Sequence, residues 1–353
     1  MIWYIKACES VILMSEEPLI MEKQKVTIYD VARKAQVSMA TVSRVVNGNS
    51  NVKPLTRTKV LKTINLLNYR PNAVARGLAS KRTTTVGVII PNITDIYFSE
   101  LALGIDDIAA MYKYNIILAN SDDSTKKDIH VLDTLLAKQV DGIIFMGNRI
   151  TDHLRVKFKQ IETPVVLAGS IDAQEIEPSV NIDYRKATRD EVLHLIQRGN
   201  RKVAFVTGSL SQSINLYERL LGYQDALKAA HLKYDRKLVF ETDRSYKDGY
   251  LLRHRLIRSN VSAAMVSNDE LAAGVMNGLT DSGIRVPDQF EIATSDDTKL
   301  TKMTRPTMSS ITQPLYDIGA VAMRLLTKIM DNENVKNRTV LLPYGLIKRD
   351  STK

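Results

Sequence analysis

Two pairs of residues carry most of the chemistry that this chain could do. Ala40 and Arg44, in the stretch SMATVSRVVNGN, are four apart and would share one face of a helix. A guanidinium on that face can donate two hydrogen bonds to O6 and N7 of a guanine, which makes Arg44 the best candidate for reading a base. Ser38 can cap the helix and point its start at a duplex, while Met39 and Ala40 could meet a thymine methyl or a base edge. Thr41, Ser43 and Asn47 carry hydroxyl or amide groups suited to anchoring phosphates, as do Thr27 and Tyr29 at the start of the preceding segment. The second pair, Arg324 and Lys328, is also four apart, so two cations could converge on one phosphate. Two basic residues at that spacing are ordinarily a solvated face, and this pair needs support from its surroundings.

Charge locates the first pair. Residues 21–82 hold thirteen Lys or Arg against two Asp or Glu, a balance of +11; residues 83–353 hold 35 against 34, and the first twenty residues carry −2. A small basic module on a nearly neutral body is the electrostatic footprint of nucleic-acid binding. The length of 353 residues asks for two or three domains, and 44% hydrophobic with 25% charged residues fits a globular chain with a buried core. No run of eighteen uncharged apolar residues occurs, so no membrane span is expected. Cys8 is the single cysteine, which excludes an internal disulfide and a cysteine-based zinc site and fits a reducing cytoplasm. Residues 1–20 lack the features of a signal peptide and read as a flexible or spurious extension, with Met1, Met14 and Met21 all open as initiators.

The elements that must hold these residues follow from apolar spacing. Thr27 can cap a helix over 28–34, Ala35, Gln36 and Val37 make a break, and Ser38 caps a second helix to about Asn47. A third helix is expected from Pro54 to about Leu67. Together they make a helix-turn-helix closed over Ile28, Val31, Ala32, Val42, Val45, Val60 and Ile64. Pro71 interrupts the helix, a short helical segment covers 72–80, and 81–85 is a tether. Beyond it, apolar runs at 86–90, 115–120, 142–147 and 164–169, then at 203–208, 237–242, 263–268 and 290–294, read as buried parallel strands. Helices near 98–111 and 126–138 alternate with the first series, and helices near 185–198, 217–230, 269–282 and 315–331 with the second. Two doubly wound α/β lobes are implied, with the cleft at the carboxyl ends of their strands as the default ligand site. The expected division is 1–20 extension, 21–68 headpiece, 69–85 hinge and linker, and 86–353 two-lobed body.

The stretch VTIYDVARKAQVSMATVSRVVNGN at 26–49, followed by YRPNAVARGLASK at 69–81, resembles the LacI family of bacterial transcription regulators, and the likeness extends over 26–353. NVKP, MYKYNIIL, KQVDGIIFM and above all QPLYDIGAVAMRLLTK at 313–328 are similar to a subgroup of that family concerned with carbon catabolite control. The resemblance implies an all-α headpiece and hinge helix ahead of a periplasmic-binding-protein-like body, acting as a homodimer on a pseudo-palindromic double-stranded DNA operator. It also implies that paired hinge helices enter the minor groove, with Leu78 wedged between base steps and Ala75 and Arg76 close to the groove. So short a hinge cannot hold a helix alone in water and is expected to order on DNA. For the body, the resemblance implies a protein corepressor, the seryl-phosphorylated phosphocarrier HPr. Arg324 and Lys328 would take its phosphoserine, with Tyr316 and Asp317 nearby and Asp107 contributed by the opening helix of the first lobe.

The sequence departs from the family at two places. Gln36 stands in the turn where the family usually has glycine, at a cost of about 1 kcal/mol if its backbone is left-handed. In the cleft, Arg219 of NLYERLLGY matches the arginine with which family members hold a sugar, and Asp296 matches an acidic residue near the end of a strand. Yet Thr294 and Ser295 replace the glycine and aromatic that precede that acid, which puts sugar stacking in doubt. A sugar phosphate as second effector, and a purely structural Arg219, both stay open. The competing function is a repressor induced by a small sugar in the cleft. An enzyme is not expected: the chain has no GxxxxGK[ST] loop and no GxGxxG after its first strand, and His130, His153, His194, His231 and His254 lie apart with no metal-like spacing. No cofactor or metal is implied.

Overall fold

The computed structural model describes residues 26–70 and 82–353. They fall into two units, a headpiece within Met1–Ala79 and a body within Ser80–Lys353.

Local capping dictates the headpiece. The backbone N–H and the hydroxyl of Thr27 both donate to the Asp30 carboxylate, at 3.0 and 2.7 Å, and open α1 (Ile28–Ala35). Gln36 takes the left-handed turn conformation, φ 50°, in a non-glycine residue as expected. Ser38 Oγ accepts the Thr41 N–H at 3.2 Å and starts α2 (Met39–Val46), and Pro54 fills the first turn of α3 (Pro54–Leu66). Val31, Ala32, Ala35, Val42, Val45 and Val60 form its core, with Ile28 and Ile64 packed at the edge.

In the body, β1 (Thr85–Ile90), α4 (Ile96–Met111), β2 (Asn115–Asn120), α5 (Thr125–Ala137), β3 (Gly142–Phe145), α6 (Asp152–Gln160), β4 (Val165–Ala168) and β5 (Ser179–Asn181) build the first lobe. The second contains α7 (Tyr184–Gln197), β6 (Val203–Thr207), α8 (Leu220–Ala229), β7 (Val239–Glu241), α9 (Tyr246–Leu251), α10 (Arg253–Arg258), β8 (Ala263–Val266), α11 (Asp269–Asp281), β9 (Glu291–Thr294), α12 (Leu300–Met303) and β10 (Ser309–Thr312). The chain then returns to the first lobe through α13 (Leu315–Met330) and β11 (Thr339–Leu341), and crosses again to end the second sheet with β12 (Gly345–Ile347). The sheet orders are β11-β5-β4-β3-β1-β2 and β12-β10-β9-β8-β6-β7. All neighbours are parallel except β10 and β12. Each lobe thus repeats one doubly wound order, with the switch point that forms a ligand crevice between its first and third strands.

Several expectations need correction. The helix at 315–331 does not alternate with second-lobe strands; α13 packs on α4, β3, β4 and β5 of the first lobe. The run at 115–120 is a strand but not a buried one, because β2 is the sheet edge and leaves Ile117 and Leu118 exposed. The run at 237–242 shrinks to β7 because Arg236–Leu238 is a 3-10 turn. Ile214–Arg219 is a π turn, so the helix expected from Tyr217 begins at Leu220. Strands β5, β10, β11 and β12 have no counterpart among the expected runs: three are only three residues long, and Ser309–Thr312 is more polar than a buried run.

Candidate nucleic-acid interface and partner-binding faces

Packing decides which side of α2 is free. Val42 and Val45 face the headpiece core, so Met39, Ala40, Arg44 and Asn47 stand exposed, with Thr41 and Ser43 half-buried beside them. Ser38 Oγ lies 2.9 Å from Thr41 Oγ1, and the Asn47 amide donates to Ser43 Oγ at 3.4 Å. No hydrogen bond or ion pair holds the Arg44 guanidinium among the described residues, which leaves its donors free for an acceptor. Thr27 and Tyr29 are also exposed, Tyr29 by 65%. The three hinge candidates, Ala75, Arg76 and Leu78, lie outside the described residues.

On the body, α13 is mounted on α4 by two glycines. A Cβ on Gly104 would sit 2.0 Å from the Tyr316 carbonyl oxygen, and one on Gly319 would sit 2.0 Å from that of Leu101. Only hydrogen at both positions lets the two backbones approach. Leu315, Ile318, Ala322, Met323, Leu325 and Leu326 point inward, which turns Tyr316, Asp317, Arg324 and Lys328 outward. Tyr316, Arg324 and Lys328 fall on one i, i+4 ridge. The Tyr316 hydroxyl donates to Asp107 Oδ2 at 2.9 Å, and that bond raises the phenol's pKa. The four α13 candidates are thus exposed along one helix, and the crossing brings Asp107 of α4 against Tyr316.

The cleft is differently built. Arg219 is buried and donates to Asn215 Oδ1 at 3.2 Å and Ser295 Oγ at 3.3 Å; it lies 3.9 Å from Asp296 and 5.5 Å over the Tyr184 ring. Burial, and then the charge of Asp269, push the Asp296 carboxyl up, against the pull of Arg219. Asp269 accepts from the Thr294 hydroxyl at 2.8 Å and from the Thr298 N–H at 2.7 Å. The two departures noted in the sequence are therefore in use: Thr294 serves Asp269 and Ser295 serves Arg219. A cavity of about 180 Å³ remains nearby, lined among others by Asp95, Asp269, Glu270 and Asp296. It is smaller than an ordinary ligand pocket and rich in carboxylates.

The comparisons with known proteins follow this division. Residues 27–72 match the model for bacterial regulatory proteins of the lacI family, and residues 192–352 match that for a periplasmic binding protein-like domain. Catabolite control protein A of Streptococcus mutans is 56% identical over 328 residues, covering 93% of this chain and 98% of that protein; its counterpart from Priestia megaterium is 53% identical over 93% and 99%. The chain belongs to the LacI family. Among solved structures, this LacI-family chain is similar to the transcription regulator CcpA of Lactococcus lactis, with 48% identity, 77% and 100% coverage and a TM-score of 0.74. It is also similar to the lac repressor dimer bound to operator, with 29% identity, 93% and 99% coverage and a TM-score of 0.85. It is a DNA-binding regulator of carbon catabolite control and not an enzyme. Among the described residues no helix is long and apolar enough to cross a membrane.

Some contributors escape sequence reasoning. Gly104 and Gly319 mount the α13 face, and a glycine within an apolar helical run was their only signal. Gln212 and Arg244, which reach across the cleft, have no motif at all.

Proposed function

We propose that this regulator binds a pseudo-palindromic operator as a cytoplasmic homodimer and takes seryl-phosphorylated HPr as its corepressor. Residues 21–68 read DNA, 69–85 form the hinge, and 86–353 form the corepressor and dimerisation body. Arg44 reads a guanine; Ser38, Met39, Ala40, Thr41, Ser43, Asn47, Thr27 and Tyr29 fix the helix on bases and phosphates, and Ala75, Arg76 and Leu78 complete the contact in the minor groove.

The observation that carries the corepressor reading is the outward ridge of α13, where Arg324 and Lys328 stand exposed on the same side of the helix as Tyr316, whose hydroxyl donates to Asp107. Two free cations one turn apart match a phosphoserine dianion, and Asp107 and Asp317 add acceptors at the margin for a basic partner. Docking of this partner on the two first lobes would set their relative orientation, order the hinges and tighten operator binding, and operator would tighten partner binding to the same degree. The alternative of a small inducing sugar has less support, because Arg219 is occupied by Asn215, Ser295 and Asp296. A sugar phosphate would also meet the carboxylates of the remaining cavity. Calorimetric titration of seryl-phosphorylated HPr into the wild type and into Arg324→Glu tests the reading. Binding is expected in the wild type and lost in the variant, which keeps its dimer and its basal operator affinity. Equal binding to both would refute the assignment of Arg324.

A further inference from the structure

The loops that end the strands of the two lobes meet across the cleft through side chains of this chain alone. Gln212, after β6, donates from Nε2 to Asp123 Oδ2 at 2.8 Å, and Asp123 follows β2 of the other lobe. Arg244, after β7, donates to Asn148 Oδ1 at 3.3 Å and lies 3.9 Å from Asp95; these two follow β3 and β1. A third crossing joins the hydroxyls of Tyr97 and Tyr184 at 3.1 Å. Arg244 has φ 69°, a left-handed backbone that costs a side chain of its type on the order of 1 kcal/mol, whereas Asp123, at φ 53°, is of a type that adopts it readily. The fold also makes room for the Arg244 stem, since a Cβ on Gly208 would lie 2.6 Å from Arg244 Cδ. Arg244 Nε is buried and unpartnered in this arrangement. An arginine placed so at the mouth of a cleft bridges its two walls.

We infer that Gln212 and Arg244 form an internal clasp that holds the two lobes closed across the cleft. Closure is then a property of the chain, which a partner or a cleft ligand biases. The clasp also has a route to α13. Gln212 Oε1 accepts from the Asn215 amide at 2.7 Å, Asn215 Oδ1 accepts from Arg219 at 3.2 Å, and Arg219 meets Ser295 and Asp296. Asp296 accepts in turn from Gln313 Nε2 at 3.3 Å, and Gln313 immediately precedes Pro314 at the start of α13. Gln313 Oε1 is buried without a partner, so this end of the relay has an acceptor to satisfy if the crossover shifts. The relay ties the lobe rim to the crossover that holds the proposed corepressor helix. That link rests on the corepressor reading, whereas the clasp itself does not.

The test uses the full-length protein, without sugar, DNA or HPr. Small-angle X-ray scattering of the double variant Arg244→Ala, Gln212→Ala should show a larger radius of gyration and a pair-distance distribution shifted to longer distances, with the wild-type circular dichroism retained. Scattering identical to the wild type would overturn the clasp. Should the double variant fail to fold, Gly208→Ala decides: it keeps every polar group but displaces the Arg244 stem, so it should open as well, and a closed Gly208→Ala would equally overturn the proposal. Hydrogen exchange of the opened protein reads the link to α13. Faster exchange is expected over residues 313–318, and unchanged exchange there would overturn the relay while leaving HPr binding to be judged separately.

Discussion

In the headpiece an arginine stands exposed, with no partner for its donors among the described residues; in the cleft an arginine is buried, with two hydrogen bonds, an acidic neighbour and an aromatic ring around it. Arg44 and Arg219 are chemically the same group, and their surroundings suit them to opposite roles. A guanidinium that binds a ligand must keep its donors unspent until the ligand arrives, whereas one that holds a fold has already spent them. The α13 face belongs with the headpiece by this criterion, because Arg324 and Lys328 point outward from a helix whose other side is buried.

The largest expected effect comes from the spent arginine. Arg219→Ala takes the donor away from Asn215 and Ser295 and leaves a cavity between the lobes, and should lower unfolding free energy by about 2–4 kcal/mol in urea titrations; a loss under about 1 kcal/mol would contradict a structural role for Arg219. Next is the mounting of the partner face. Gly319→Ala forces a methyl against the Leu101 carbonyl, and overpacking of this kind should cost about 1–3 kcal/mol in the same assay. For the unspent arginine the expectation reverses. Arg44→Ala should leave stability within about 0.5 kcal/mol and remove about 1–3 kcal/mol of discrimination between operator and scrambled DNA, measured by anisotropy at fixed salt.

A pH-dependent effect concerns a buried carboxyl of the second lobe. Burial pushes the Glu191 carboxyl up to about 7 against the pull of Arg198, from an ordinary value of 4.5. A carboxyl whose pKa is higher in the folded state holds its proton there longer, so its stabilising contribution is full below about 4.5 and is lost as pH rises toward about 7. Glu191→Gln should therefore flatten the decline of the thermal midpoint across that window and gain on the wild type at pH 8. A parallel decline in both proteins would rule out Glu191 as its source.

What was legible in the sequence follows the range of the interactions. The headpiece could be read to within about a residue because its boundaries are set locally, by Thr27 with Asp30, by Ser38 and by Pro54. The lobes were legible as alternating runs, but the membership of α13 was not, since its apolar face fits either sheet and only the Gly104 and Gly319 crossing assigns it to the first. The run at 115–120 reads as core by composition and lies at an edge by topology. Thr294 and Ser295 gave a true signal in the cleft, a departure that the structure explains through their bonds to Asp269 and Arg219. Arg244 gave none, because its significance lies in a left-handed backbone and a neighbour, Gly208, thirty-six residues away.

A cationic ridge that takes a phosphorylated partner must make operator affinity depend on that partner. Fluorescence anisotropy of a labelled pseudo-palindromic operator, titrated with the protein at fixed salt alone, with unmodified HPr and with seryl-phosphorylated HPr, tests it directly. Tighter binding with the phosphorylated form only, lost in Arg324→Glu, is the expected result; an operator affinity indifferent to both forms of HPr would contradict it.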